Sequence, residues 1–172
     1  MIGVLALQGG FKEHEDILDE LQFPHRRVRS LDDVEGLTGL VIPGGESTVM
    51  KMFMELYGLD EWLVERASDE NFKIYGTCAG MILLADLRIL DAVVKRNAYG
   101  RQLDSFLAEM PLGDLNVRGH FIRAPKIETL GAKAESLIDH DGVPVFVRQG
   151  NIWASSFHPE LAGDSQIHAT IF

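Results

Sequence analysis

Basic residues are scarce in this sequence, and cysteine is almost absent. Lys and Arg number 16 against 26 Asp and Glu, giving a formal charge of −10. A nucleic-acid backbone is gripped through clustered cations, so this balance argues against a nucleic-acid partner. The one basic cluster, His25-Arg26-Arg27-Val28-Arg29, fits the solvated face of a strand. A single cysteine, Cys78, excludes an intramolecular disulfide framework and any zinc site built on several thiolates. Long apolar runs are missing too. Ile2 to Leu7 and Met81 to Ala85 fall far short of the roughly 18 residues needed to cross a bilayer, and no basic segment precedes the first. The expectation is a cytoplasmic protein with no membrane partner. Its 46% apolar and 24% charged content over 172 residues is that of an ordinary globular chain, read as one domain over residues 1–172.

What is present is an alternation of strand and helix signals. Met1 to Leu7 is a short apolar run closed by Gln8-Gly9-Gly10, as expected of a strand buried on both faces. Phe11, Ile17, Leu18 and Leu21 then recur at helical spacing up to Pro24. Strands are predicted over Arg27 to Ser30, Gly39 to Ile42 and Phe72 to Tyr75. Helices are predicted after Pro43-Gly44-Gly45, over Leu59 to Ala67 and over Ala79 to Ala85. Ser47 or Thr48 is expected to cap the first of these, with Val49, Met52, Phe53 and Leu56 on its apolar side. Beyond residue 88 the runs Ile89 to Val94, Val117 to Ile122, Val143 to Arg148 and Asn151 to Ser156 read as added strands, some antiparallel, with a hairpin at Gly150-Asn151. The fold class is therefore α/β: a mostly parallel central sheet flanked by helices, with added antiparallel strands.

Three segments carry chemistry. Gly76-Thr77-Cys78-Ala79-Gly80, between an apolar strand and an apolar helix, has the form of a nucleophile elbow with cysteine in place of serine. The helix N-terminus favours thiolate there, and the Ala79 N–H could face an oxyanion. The competing reading is a buried structural cysteine. In Ser156-Phe157-His158-Pro159-Glu160 the proline holds His158 extended, so that Glu160, two residues on, projects to the same side and can orient the imidazole. A capped turn accounts for the same residues. The other histidines are expected to be surface or structural, His140 a solvated turn residue. Pro43-Gly44-Gly45-Glu46-Ser47 ends a strand and starts a helix; without a P-loop lysine it fits an oxyanion wall facing Cys78 better than a nucleotide site. With His158 as base, activity is expected to fall on acidification as that histidine is protonated.

Taken together, these segments resemble, in order and spacing, the class I triad-type glutamine amidotransferases. Leu5-Ala-Leu-Gln-Gly9, Gly44-Gly-Glu-Ser-Thr48, Lys95-Arg-Asn-Ala-Tyr-Gly-Arg-Gln102 and His120-Phe-Ile-Arg-Ala-Pro125 resemble one of their families, the glutaminase subunits of pyridoxal 5'-phosphate synthase. The resemblance implies hydrolysis of L-glutamine to glutamate and ammonia, with ammonia passed to a barrel-shaped synthase subunit. It implies Cys78 as nucleophile, His158 as base and Glu160 as its orienter. It further implies glutamine binding by Gly45, Glu46, Ser47, Arg96, Ile122 and Arg123, and an oxyanion hole at Gly45 and Ala79. Gln8, Gly9 and Gly10 are implied to meet the partner and arrange the oxyanion loop. No metal or organic cofactor is implied. A triad glutaminase serving another acceptor pathway, or a non-catalytic regulatory subunit, are the alternatives. The chain departs from the family at Ala85 to Ile89 and at Leu112 to Val117, where loops are trimmed or residues left out.

Overall fold

The protein is described from a computed structural model covering residues 1–96, 98 and 105–172. Asn97 and residues 99–102 of the family-like segment after Lys95 lie outside the described residues. The central sheet has seven strands in the order β2-β1-β3-β4-β11-β10-β9. These are β1 (Ile2–Leu5), β2 (His25–Val28), β3 (Gly39–Ile42), β4 (Lys73–Thr77), β9 (Glu135–His140), β10 (Val143–Gln149) and β11 (Ile152–Ser155). The five strands from β2 to β11 run parallel; β10 and β9 continue the sheet antiparallel. Two antiparallel pairs stand apart from it: β5 (Ala92–Lys95) with β8 (Lys126–Leu130), and β6 (Phe106–Leu112) with β7 (Leu115–Phe121). The α/β expectation holds, and Asn151 to Ser156 supplies a parallel strand in the middle of the sheet rather than an addition at its margin.

The middle of the sheet is buried on both faces because β1 and β3 are apolar at every position. Successive side chains point to opposite sides, so Leu40, Ile42 and Ile74 enter one core while Val41 and Tyr75 enter the other. Helices α1 (Phe11–Glu20), α2 (Ser47–Tyr57), α3 (Leu59–Arg66), α4 (Ala79–Asp86) and α5 (Gln166–Ile171) complete the fold. Helix α4 reads Ala-Gly-Met-Ile-Leu-Leu-Ala-Asp, and Ala79 to Leu84 are all buried against β4, β5 and α2. A helix without a polar face must be covered all round. Among the described residues no helix is long and apolar enough to cross a membrane.

Helix α2 departs from the sequence reading in two ways. Met50 and Met54 face the core, whereas Met52 and Leu56 are exposed. Its apolar residues cover more than half of the circumference, leaving only the side of Thr48, Lys51 and Glu55 polar, so periodicity could not say which part of that wide arc docks. Nor does a hydroxyl cap it: Glu46 is the N-cap residue, without a side-chain cap. His140 is also not a solvated turn residue, since it ends β9 with its ring stacked on Phe121 and Phe106 at 5.4 and 5.7 Å.

At the first family departure, α4 ends in paired bonds from Arg88 N–H to Ala85 O and from Ile89 N–H to Leu84 O, with Arg88 left-handed at φ 58°. At the second, β6 and β7 join directly through Gly113 and Asp114. Both connections are closed and short.

Candidate active site

The C-terminal ends of parallel strands are where α/β sheets build sites, and here β3, β4 and β11 end side by side. Thr77 is in register with Ser155, and the Cys78 N–H donates to Ser155 O at 2.8 Å. Cys78, buried at the start of α4, has φ 48° and ψ −100°, a conformation L-residues rarely adopt. Small neighbours make this turn possible: a Cβ on Gly80 would stand 2.3 Å from Ile42 O. The Ala79 N–H opens the helix, where the first amides have no intrahelical acceptor.

Beyond β11 the chain brings His158 to the same place. His158 and His120 exchange backbone hydrogen bonds of 2.8 and 3.0 Å, which fixes the residue before Pro159 as extended. Glu160 reaches it by a route other than the expected one. Pro159 turns the chain helical (φ −68°, ψ −33°) into a short 3-10 turn, Glu160–Ala162, and the side chains meet across that turn, His158 Nδ1 to Glu160 Oε1, at 2.7 Å. Nε2 is left for the Cys78 sulfur.

Charge in this cluster follows from its contacts. Burial opposes ionisation of His158, but hydrogen bonds to Cys78 and Glu160, and their negative charges, push its pKa up to about 10. Burial also opposes ionisation of Glu160, whose pKa nevertheless falls to about 2 through His14 and His158. His14 is itself depressed by burial, so at neutral pH the cation beside Glu160 is His158. His158 therefore keeps its proton through the neutral range, so protonation of a neutral imidazole near pH 6.5, the expected cause of an acid limb, does not occur here.

These groups open into a cavity of about 440 Å³ whose lining includes Gln8, Gly10, Gly45, Glu46, Ser47, Cys78, Ala79, Arg96, Ile122, Arg123, His158 and Glu160. All of the expected site residues thus border one space except Gly9, which packs behind Gly44. The Gly44–Glu46 loop is anchored from β1's loop: Gly10 N–H donates to Gly44 O at 3.0 Å, and Gln8 Oε1 accepts from Glu46 N–H at 2.7 Å. Gln8 and Gly10 therefore brace the loop from within the chain. Gly44 lets the loop approach the imidazole, since a Cβ there would lie 2.2 Å from His158 Cε1. The two arginines differ. Arg96 donates to Thr48 Oγ1 and Asp86 Oδ2, both at 2.9 Å, whereas Arg123, at φ 44°, has no side-chain partner among the described residues.

Sequence reasoning missed His14. Its Nε2 lies 3.4 Å from Glu160 Oε1 and its Nδ1 2.9 Å from His168 Nε2, with both rings fully buried. A signal was available: His14 shares the helical face of Phe11, Ile17, Leu18 and Leu21.

A family model for the SNO glutamine amidotransferase family matches residues 4–172. The chain belongs to that family. Relatives of this SNO-family chain include the pyridoxal 5'-phosphate synthase subunit PdxT of Corynebacterium jeikeium, 46% identical over 98% of this chain and 93% of its own length. The subunit of the same name from Thermus thermophilus is 44% identical over 98% of this chain and 94% of its own length. The Corynebacterium alignment runs over 182 positions, more than the 172 residues here, so internal segments of the two chains differ in length. A solved glutamine amidotransferase superposes with a TM-score of 0.94 at 41% identity, covering 99% of this SNO-family chain and 96% of that one. The PurLQS structure from Thermotoga maritima, at TM-score 0.73 and 14% identity, shares the fold.

Proposed function

We propose that residues 1–172 form one cytoplasmic glutaminase domain that hydrolyses L-glutamine to glutamate and ammonia, as the ammonia-donating subunit of a pyridoxal 5'-phosphate synthase. The observation that carries the reading is Cys78, strained at the head of α4, beside a His158–Glu160 pair closed at 2.7 Å. The Cys78 sulfur attacks the side-chain amide carbon, and the carbonyl electrons move onto oxygen, which the N–H groups of Ala79 and Gly45 receive. His158, protonated and held by Glu160, gives its Nε2 proton to the departing nitrogen, so ammonia leaves and a thioester remains. The now neutral imidazole takes a proton from water, which attacks the thioester. Collapse releases glutamate and restores the thiolate–imidazolium pair. These groups and water serve every step.

Glu46, Ser47 and Ile122 wall the glutamine, and Arg123, without a side-chain partner among the described residues, offers its guanidinium to the α-carboxylate. Arg96 joins them while tied to Asp86. Glu46 contacts the substrate by a group other than its N–H, which Gln8 occupies. The synthase subunit docks beside Gln8, Gly9 and Gly10, where it can move the oxyanion loop they brace. Glutamate release by the chain mixed with its cognate synthase, and its loss in Cys78→Ala, is the test. Unchanged release in the variant would overturn the proposal.

A further inference from the structure

Behind Glu160, three side chains outside the cavity form a buried polar chain. His14 on α1 places Nε2 3.4 Å from Glu160 Oε1 and 3.2 Å from Thr77 Oγ1, and Nδ1 2.9 Å from Nε2 of His168 on α5. Neither ring lines the cavity. Both rings are fully buried, and burial disfavours the imidazolium form of each, so each carries one proton at neutral pH.

Where those protons sit follows from what each nitrogen faces. His168 Nδ1 has no hydrogen-bond partner among the described residues. A proton there would be a buried donor without an acceptor, whereas a bare nitrogen costs less. The His168 proton therefore lies on Nε2 and is donated to His14 Nδ1. His14 Nδ1 is then an acceptor, and the His14 proton must lie on Nε2, where it is shared between Thr77 Oγ1 at 3.2 Å and Glu160 Oε1 at 3.4 Å. Glu160 gains from that donor, since its Oε2 is buried with no hydrogen-bond partner among the described residues and both histidines meet it at Oε1.

We infer that His14 is a positioning residue: its Nε2–H, with the tautomer set by His168, holds Glu160 Oε1 in line with His158 Nδ1. The inference rests on the glutaminase reading for its consequence, not for its geometry. Glu160, His158 and His168 are the titratable groups around His14, with Glu13 contributing from α1 and Tyr75 presenting its ring at 6.5 Å.

In the complex with synthase, His14→Phe removes the donor while filling the space, and His14→Gln restores an N–H at the Nε2 position. The expected result is a loss of about 30-fold in kcat for His14→Phe with KM within about twofold, and recovery to within about fivefold for His14→Gln, because the substrate pocket is untouched. The loss should be larger at pH 5 than at pH 8, since a carboxylate stripped of a donor takes up a proton more readily. Equal impairment of both variants, or full activity of His14→Phe, overturns the inference. Nitrogen-15 spectra of the wild-type histidines decide the tautomer without any variant: a neutral His14 protonated on Nε2 at pH 7 supports it, and an Nδ1–H or an imidazolium overturns it. If wild type with synthase releases no glutamate, the functional reading fails while this measurement still decides the hydrogen-bond direction.

Discussion

His158 and Glu160 are two residues apart in sequence, and Pro159 folds the chain between them so that Nδ1 and Oε1 meet at 2.7 Å. The carboxylate does two things for the imidazole. It fixes the ring with Nε2 toward Cys78, and it stabilises the positive charge on the ring. Glu160→Gln keeps the shape and an acceptor but removes the charge, so kcat for glutamate release should fall by about 10²- to 10⁴-fold with KM little changed. A variant within threefold of wild type would show that His158 works without its carboxylate.

The same pair makes stability depend on pH in a predictable direction. The folded pKa of His158 is raised from 6.5 to about 10, so its contribution is fully present below pH 6.5 and is lost as pH rises through about 10. Glu160 is lowered from 4.5 to about 2, so its contribution is present above pH 4.5 and lost as pH falls through about 2. His168, lowered to about 3, adds a loss that begins below pH 6.5, where the unfolded chain takes up a proton that the folded chain refuses. Thermal melts should therefore show Tm falling on both sides of neutrality. Cys78→Ala should flatten the alkaline limb, because Cys78 is one source of the His158 shift. His168→Phe should flatten the limb between pH 6.5 and 3. Identical pH profiles in wild type and variants would refute this assignment of the limbs.

Local signals made part of this site legible and long-range contacts hid the rest. Glycines at 76 and 80 announce the elbow because a tight turn leaves no room for Cβ atoms, and His-Pro-Glu announces the orienter because its members are neighbours in the chain. Strands β8 and β9 mix apolar with charged residues, and β6 is apolar but exposed at most positions, so no buried apolar run marked them. The role of His14 depends on Glu160 and on His168, 154 residues away. Its place on the apolar face of α1 signalled burial, but no single-sequence pattern could say beside what. Helix α2, with an apolar arc wider than the face that docks, hid its buried face for the opposite reason, an excess of signal.

Two glycines should separate folding from catalysis. A Cβ at Gly80 would meet the backbone oxygen of Ile42 at 2.3 Å, in a core strand that cannot move. Gly80→Ala should therefore cost about 1–3 kcal/mol of stability. A Cβ at Gly44 would meet only the tip of the His158 ring, at 2.2 Å, and the ring can rotate away. Gly44→Ala should leave denaturant midpoints close to wild type while lowering kcat by at least about 10²-fold through loss of His158 alignment. The reverse ordering, a destabilised Gly44→Ala with normal kcat, would mean that the loop and not the imidazole absorbs the contact.

Arg123 and Arg96 border the same cavity, but their engagement differs, and that difference should appear in the kinetics. Arg96 is held by Thr48 and Asp86 at 2.9 Å each, so removing it frees a carboxylate at the rim and disturbs the start of α2. Arg123 has no such tie among the described residues, so its guanidinium can pair with the α-carboxylate of glutamine in both ground and transition states. Binding energy shared equally by both states appears in KM and not in kcat. Arg123→Ala should thus raise KM about tenfold or more with kcat within about threefold, and Arg123→Lys should recover part of the loss without the bidentate geometry. Asp86→Asn should change both parameters, because it releases Arg96 from its fixed position. Steady-state glutamate release across glutamine concentrations, measured in the presence of synthase, reads all three variants, and an unchanged KM in Arg123→Ala would transfer the carboxylate contact to Arg96.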